Sequence, residues 1–404
     1  MRKLLQTKYL TTLCFLCVLA LMFALGIVPV CGGLLTTADH YAGTGELDFS
    51  LVEGQYTEQF KGKSLFITLN GAWQRMVGAR VVNERYKLDN GHLSYIIEEQ
   101  NVEGMARNTV EFRDALEEMD IPMVYISTPF QIHRKDKQLP ESVEDYSNEN
   151  ADRFLSCLKD ADVPVLDLRE SMAAEGLDHY EMFYKTDHHW TAEAGLWAAG
   201  EIADYLSAMD ETYAVKESLR DPSCYHFDVY EGIFLGSAGR RVGSIYAGTE
   251  DFTVITPAFE TDFTFSAENG EFLRQGSFYD TFIVPEKLRQ GDLLASDVYL
   301  TYCGRNFTQM TIHNRGTSPD TRSTPKRVLL IRDSFSDVLI PFLAMEYEYL
   351  DVLDLRGFKG DVLAYVREFA PDMVVVIYNP GAYTDTNLNM FEFLNAHKQQ
   401  ESTP

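Results

Sequence analysis

Hydrophobic positions along this chain change period repeatedly, and each change marks an element. Val110, Phe112, Ala115, Leu116 and Met119 fall at helical spacing behind Asn108, a residue suited to capping. Residues 123–126 form a short apolar run, and a helix over 150–159 leads into a second run at 163–168. Two strands joined by a helix predict a parallel sheet. Thr191 is placed to cap a further helix with Leu196, Ala199, Ala203 and Leu206 on one face. From about Tyr213 to Pro325 the pattern turns to Gly, Asp, Ser and aromatics, with short alternating stretches at 252–255 and 278–284, which predicts a β-rich insertion. Strand and helix then alternate again: apolar residues 328–331, a helix over 335–345, a strand over 350–355, a helix over 359–369 and a strand over 373–378. Earlier in the chain, residues 66–69 read as a strand ended by the turn Asn70-Gly71, and 36–62 as a polar linker.

The N-terminal pattern is of another kind. An uncharged, mainly apolar run covers residues 9–35, with Arg2, Lys3 and Lys8 before it and Asp39, Glu46, Asp48 and Glu53 after it. Its length suffices for a bilayer, and the charge asymmetry puts the bulk of the chain outside the cytoplasm. A signal peptide cut near Ala24-Leu25-Gly26 is the competing reading. Cys31 follows Val30 and not a small residue, which argues against a lipid-modified cysteine.

Composition adds exclusions. With 404 residues, 45% hydrophobic and 24% charged, the chain has material for a large globular core. A formal charge of −26 weighs against nucleic acid as a partner, since phosphate binding needs clustered Lys and Arg. The six cysteines show neither a disulfide framework nor a metal-ligand spacing.

Two places bring chemistry together. Ser334 in Arg332-Asp333-Ser334-Phe335 follows an apolar strand and precedes a helical stretch, at the sheet end where open α/β folds bind ligands. From position alone, Ser334 or Asp333 reads first as a helix cap. Thr186-Asp187-His188-His189-Trp190 sets a carboxylate beside two imidazoles, a pairing suited to taking a proton from a hydroxyl. A metal site would need further ligands, and no other His, Cys or carboxylate cluster stands out.

The string Thr186-Asp187-His188-His189-Trp190-Thr191, followed by Ala-Glu-Ala-Gly, resembles the DHHW family, and is similar to the alginate O-acetyltransferase accessory proteins with their Asp-x-His-Trp signature. Asp333-Ser334-Phe335 matches the second block of that pattern, with Arg332 departing from its usual Gly or Lys. The resemblance implies an SGNH-hydrolase-like α/β three-layer sandwich with a parallel central sheet and circularly permuted motif order, plus the β-rich insertion. It implies Ser334 as nucleophile, His189 as base and Asp187 as its orienter, with His188 tuning or binding, no metal and no cofactor. By the same pattern the Gly357 N–H and the Asn379 side chain are expected as oxyanion donors. Arg356 beside Gly357 reads as a solvated side chain, with an anionic substrate as the alternative partner. The stretch from Leu235 to Arg241 reads as a flexible segment bordering the cleft. The domain layout is then 1–35 anchor or signal, 36–62 linker, 63–210 and 326–395 the two parts of the α/β domain, 211–325 the insertion and 396–404 a tail.

The activity so implied is serine-dependent O-acetylation of a cell-surface or secreted polysaccharide at the bacterial envelope, with a membrane-bound O-acyltransferase as acetyl source. A carbohydrate acetylesterase with the same triad, and a catalytically silent polysaccharide-binding scaffold, are the alternatives.

Overall fold

The structure, a computed structural model, describes residues 2–59, 62–213, 220–289, 291–316 and 324–383. It divides into two compact units, Met1–Val77 and Gly78–Pro404.

The first unit is helical: α1 (Arg2–Thr44), α2 (Ser50–Gln59) and α3 (Lys63–Met76). α1 and α2 pack closely, and a Cβ on Gly33 would lie 2.6 Å from the Val52 Cα. Phe15 and Phe23 on α1 are exposed. Among the described residues no helix is long and apolar enough to cross a membrane. The strand expected at 66–69 is instead part of α3, which runs through Asn70-Gly71. A four-residue apolar run fits a strand or one helical turn equally well, and here the helical spacing of Leu65, Leu69, Trp73 and Met76 prevails.

The second unit is built on one sheet. In chain order its strands are β1 (Val81–Val82), β2 (Arg85–Lys87), β3 (Leu93–Ser94), β4 (Met123–Ser127), β5 (Val165–Asp167), β6 (Tyr225–Phe234), β7 (Glu250–Pro257), β8 (Phe263–Ala267), β9 (Phe272–Gly276), β10 (Gln309–Asn314), β11 (Thr324–Arg332), β12 (Tyr347–Leu353) and β13 (Met373–Tyr378). Eight of them form the central sheet in the order β5-β4-β13-β11-β12-β10-β8-β9. β5, β4, β13, β11 and β12 are parallel, and β10, β8 and β9 continue the sheet antiparallel. Of the strands between the two motif blocks, β8, β9 and β10 widen this sheet, while β6 and β7 pair separately.

Helices cover both faces. On one side α4 (Glu103–Glu117), α5 (Ser147–Asp160) and α12 (Val362–Phe369) pack on Tyr125, Leu329, Ile331, Val374 and Val376. On the other, α7 (Ala192–Met209), α10 (Phe278–Phe282) and α11 (Ile340–Leu343) cover Val124, Ile126, Val328, Leu330 and Ile377. Burial of alternate residues on both faces is why β13 and residues 328–331 of β11 read as unbroken apolar runs. The remaining helices are α6 (Leu168–Glu175), α8 (Ser237–Val242) and α9 (Ser244–Ala247). The fold is the mixed α/β arrangement expected, with a large, mostly parallel central sheet.

Three local expectations change. α4 starts at Glu103, so Asn108 lies inside it. The stretch at 278–284 begins as α10, whose N-terminus is fixed by a capping box between Ser277 and Asp280. The single helix expected over 335–345 is a 3-10 turn at Ser334–Asp337 followed by the four-residue α11, with Pro341 near its start. Cys157, Cys224 and Cys303 are free thiols.

Candidate active site

The loop before α7 is locked before it presents any chemistry. The Lys185 and Thr186 N–H groups and the Thr186 hydroxyl all donate to Glu250 on β7. Gln131 donates to the carbonyls of Tyr184 and Asp187, at 2.8 and 2.7 Å. Thr191 caps α7 as expected, its hydroxyl accepting from the Ala194 N–H. Trp190 is fully buried and its indole N–H donates to the Phe335 carbonyl at 2.7 Å, a direct tie between the two motif loops.

The turn that carries Ser334 follows β11. Its cap is Asp333, whose carboxylate accepts from the Phe335 N–H at 3.0 Å and from the Asn379 N–H at 2.9 Å. Capping thus falls to Asp333 and leaves the half-buried Ser334 hydroxyl free for other work. Ser334 Oγ lies 2.9 Å from His189 Nε2, and His189 Nδ1 lies 2.7 Å from Asp187 Oδ1. The Asp187 carboxylate also accepts the His189 N–H at 3.0 Å and the Ser237 N–H at 2.6 Å. Burial alone would raise the Asp187 carboxyl, but His189, His188 and the Ser237 N–H together hold it well below the ordinary carboxylate range. An ionised Asp187 only accepts, so the proton of His189 sits on Nδ1 and the bare Nε2 faces the serine hydroxyl.

Two supports come from the insertion. Ser237 begins α8, so the expected flexible segment is a short packed helix. A Cβ on Gly236 would fall 2.3 Å from the Asp187 Cβ, so only glycine lets this turn approach the carboxylate. Tyr299 lies flat on the His189 imidazole, ring centroids 4.1 Å apart at 14°, and its hydroxyl donates to the Phe335 carbonyl at 3.3 Å. Neither residue carries a sequence signal of its own, since each acts across about 50 or more intervening residues. Gly236→Ala is expected to push α8 off Asp187 and lower kcat/KM by about 10²-fold, the scale of a misplacement near 1 Å, as read by steady-state assay with p-nitrophenyl acetate.

His188 is close to the same carboxylate. Its Nδ1 lies 2.9 Å from Ser237 Oγ and 3.3 Å from Asp187 Oδ1, while Ser237 Oγ is 3.3 Å from Asp187 Oδ1. The arrangement that faces every acceptor with a donor puts the His188 proton on Nδ1, with Ser237 donating to Asp187. Nε2 is then an acceptor on a side chain one quarter exposed. Burial and the neighbouring His189 push the His188 imidazole down to about 3, so it is neutral at physiological pH. The Tyr95 ring meets His188 edge-on at 5.6 Å, which brings one more side chain to the mouth.

Asp187, His188 and His189 lie close enough together to hold a cation. Their donor set fits a hydrogen-bond chain better: both His189 nitrogens and His188 Nδ1 already face protein partners.

The structure does not bring the expected oxyanion donors to Ser334. The Gly357 N–H closes a turn onto the Asp354 carbonyl at 3.1 Å. The Asn379 side chain is buried, donates to Thr128 Oγ1 and the Pro129 carbonyl, and accepts from the Gly381 N–H. It caps the 3-10 turn at Pro380–Ala382, and its backbone N–H reaches the Ser334 loop through Asp333. Arg356 is bound to Asp354 at 2.9 and 2.6 Å and is not a free anion ligand. The donor adjacent to Ser334 Oγ is the residue's own N–H, since the Asp333 cap takes the Phe335 N–H instead.

Arg332, the departure from the usual motif, is fully buried. It contacts Asp337 at 3.1 Å, donates to the Phe307 carbonyl at 3.2 Å, and bonds Asn306. Burial pushes the Asp337 carboxyl up to about 6, with Arg332 opposing the rise. Arg332→Met would leave that carboxyl unpaired and is expected to cost about 3 kcal/mol in urea denaturation at pH 7.5. A carboxyl with a raised folded pKa stabilises most below its unfolded value and loses this as pH rises through the folded one. The loss in Arg332→Met should therefore be smaller at pH 5 than at pH 7.5, and Asp337→Leu in the same chain should recover most of it.

Comparison with known proteins agrees with the resemblance drawn from the two motifs. Residues 89–219 match the family model described as SGNH hydrolase-like domain, acetyltransferase AlgX. A Bacillus cereus PatB1 structure with a sulfonyl adduct is 22% identical, covering 75% of this chain and 95% of that one, with a TM-score of 0.60. A DHHW family protein from Eubacterium siraeum is 18% identical, covering 76% and 94%, with a TM-score of 0.56. At these identities the likeness is one of fold. No curated protein sequence matches the chain.

Proposed function

We propose that this SGNH-hydrolase-like chain is an extracytoplasmic O-acetyltransferase that carries an acetyl group on Ser334 and passes it to a hydroxyl of a cell-surface or secreted polysaccharide. The observation that carries the reading is the unbroken chain from Asp187 through His189 to Ser334, at 2.7 and 2.9 Å, with the capping duty taken by Asp333. Ser334 Oγ attacks the acetyl carbonyl while His189 Nε2 takes its proton. The oxyanion meets the Ser334 N–H, and the donor's leaving oxygen receives the proton back from His189. In the second half the acceptor hydroxyl replaces the serine: His189 takes its proton, the new ester forms, and Ser334 is released protonated.

His188 is the residue proposed to favour a sugar hydroxyl over water. Its Nε2 accepts the hydrogen bond of a hydroxyl neighbouring the reacting one, so a polyol is held at two points. Export rests on the basic flank and apolar run of residues 2–35, which hold the domain at the envelope or release it there after cleavage. A membrane-bound O-acyltransferase is the acetyl source this arrangement suits.

The sulfonyl adduct of the Bacillus cereus protein suggests the probe. Phenylmethylsulfonyl fluoride should add once to this protein, on the tryptic peptide containing Ser334. p-Nitrophenyl acetate should give a burst of one nitrophenolate per chain, followed by slow turnover that cello-oligosaccharide or oligomannuronate accelerates with recovery of acetylated sugar. A burst whose slow phase ignores both acceptors would make the chain an esterase. Absence of both labelling and burst would leave a silent scaffold.

A further inference from the structure

A second concavity lies apart from the triad, between α7, residues 220–227 and the chain just after α11. Its volume is about 400 Å³, within the range of small-ligand sites. Leu196 and Trp197 of α7, Tyr225 and Phe227 of β6, and Phe342 and Met345 form apolar walls. The Trp197 indole is fixed by its N–H bond to Glu175 at 3.1 Å, so this aromatic face is held in place.

The charges around these walls are mostly of one sign. Glu193, Glu201, Asp204 and Glu346 line the cavity against one guanidinium, Arg220. Arg220 holds its Nε 3.3 Å from both the Gly200 carbonyl and Asp204, while its Nη2 is buried without a hydrogen-bond partner among the described residues. Glu346 is 3% exposed, and its Oε2 has no hydrogen-bond partner among the described residues. A buried carboxyl oxygen left unmatched among aromatic walls costs free energy that a bound partner can recover.

We propose that this cavity binds a small organic ammonium ion, with its alkyl body against Trp197, Tyr225 and Phe227 and its charge against Glu346. An anion would meet four carboxyls. A hard divalent metal would want several oxygen ligands close together, which these apolar walls do not supply. A quaternary ammonium meets both halves of the site, since aromatic faces attract it and the carboxylate neutralises it. Burial pushes the Glu346 carboxyl up to about 8, with Arg220 and Asp204 the charged groups opposing and adding to that rise. Ammonium binding favours the ionised form, so affinity should increase as pH climbs from 6 to 9.

Titration calorimetry on the purified chain with choline and its neutral isostere 3,3-dimethylbutan-1-ol tests the assignment. Choline should bind at least about tenfold tighter than the isostere at pH 9, with the preference reduced at pH 6 and abolished in Glu346→Gln. Phe227→Leu, at an exposed wall position, should weaken choline about tenfold, and it serves should Glu346→Gln not fold. Equal affinity for the two probes, no saturable heat from either, or an undiminished choline preference in a folded Glu346→Gln would overturn the proposal.

Discussion

Ser334→Ala is expected to lower kcat/KM for acetyl transfer by about 10⁴-fold or more and to abolish both the nitrophenolate burst and sulfonyl labelling. The size follows from what the substitution removes. Without Oγ there is no acetyl-enzyme, and water must attack the donor directly, helped only by His189 and the Ser334 backbone N–H. The substitution should be nearly silent in stability, because Ser334 does not cap its own turn; Asp333 does. A thermal midpoint within a few degrees of wild type, with the burst gone, is the expected pair of results. A burst retaining a tenth of its amplitude would remove Ser334 from the mechanism.

Asp187→Asn should cost nearly as much in turnover, about 10³- to 10⁴-fold, for a different reason. Both carboxylate oxygens now face donors: Oδ1 meets His189 Nδ1 and the His189 N–H, and Oδ2 meets the Ser237 N–H. An asparagine has one acceptor oxygen, so its amide N–H must oppose a donor on one side. Opposing His189 forces the imidazole proton onto Nε2, where it can no longer receive the serine proton. Opposing Ser237 loosens α8, and the orientation of the loop with it. Single-turnover kinetics with p-nitrophenyl acetate would show the acylation step slowed, and an acylation rate within tenfold of wild type would refute this role for Asp187. The variant also removes a pH-linked stabilisation. A carboxyl held below its ordinary range contributes fully above the unfolded value of about 3.9 and progressively less as pH falls beneath it. Wild type should therefore lose stability between pH 4 and pH 2 more steeply than Asp187→Asn.

Much of this arrangement is legible in the sequence, for identifiable reasons. β4, β13 and residues 328–331 of β11 are buried on both faces, and such stretches appear as apolar runs whatever surrounds them. Thr191 announces α7 because capping is local chemistry. The pairing of Asp187, His189 and Ser334 was readable through two short motifs in a particular order. The misses share a cause. Ser237 and Tyr299 act across long sequence separations, and nothing near either residue reports the partner. Gly357 and Asn379 occupy the expected loops, yet turn residues after strands have duties of their own, and here those duties consume their donors. α3 and α10 fall in short apolar stretches where helix and strand patterns coincide.

Strand order in the central sheet bears on how such a protein can be delivered. β4 has β5 on one side and β13 on the other, and β13 in turn pairs with β11, so the middle of the sheet is supplied by residues 324–378. Until those residues are available, β4 has an open edge and the carboxylate-imidazole loop has no serine to face. A chain threaded across a membrane from its N-terminus would emerge unable to close its sheet until the last strands had passed. On the export proposed above, the carboxylate, imidazole and serine would therefore come together only once β13 had crossed as well.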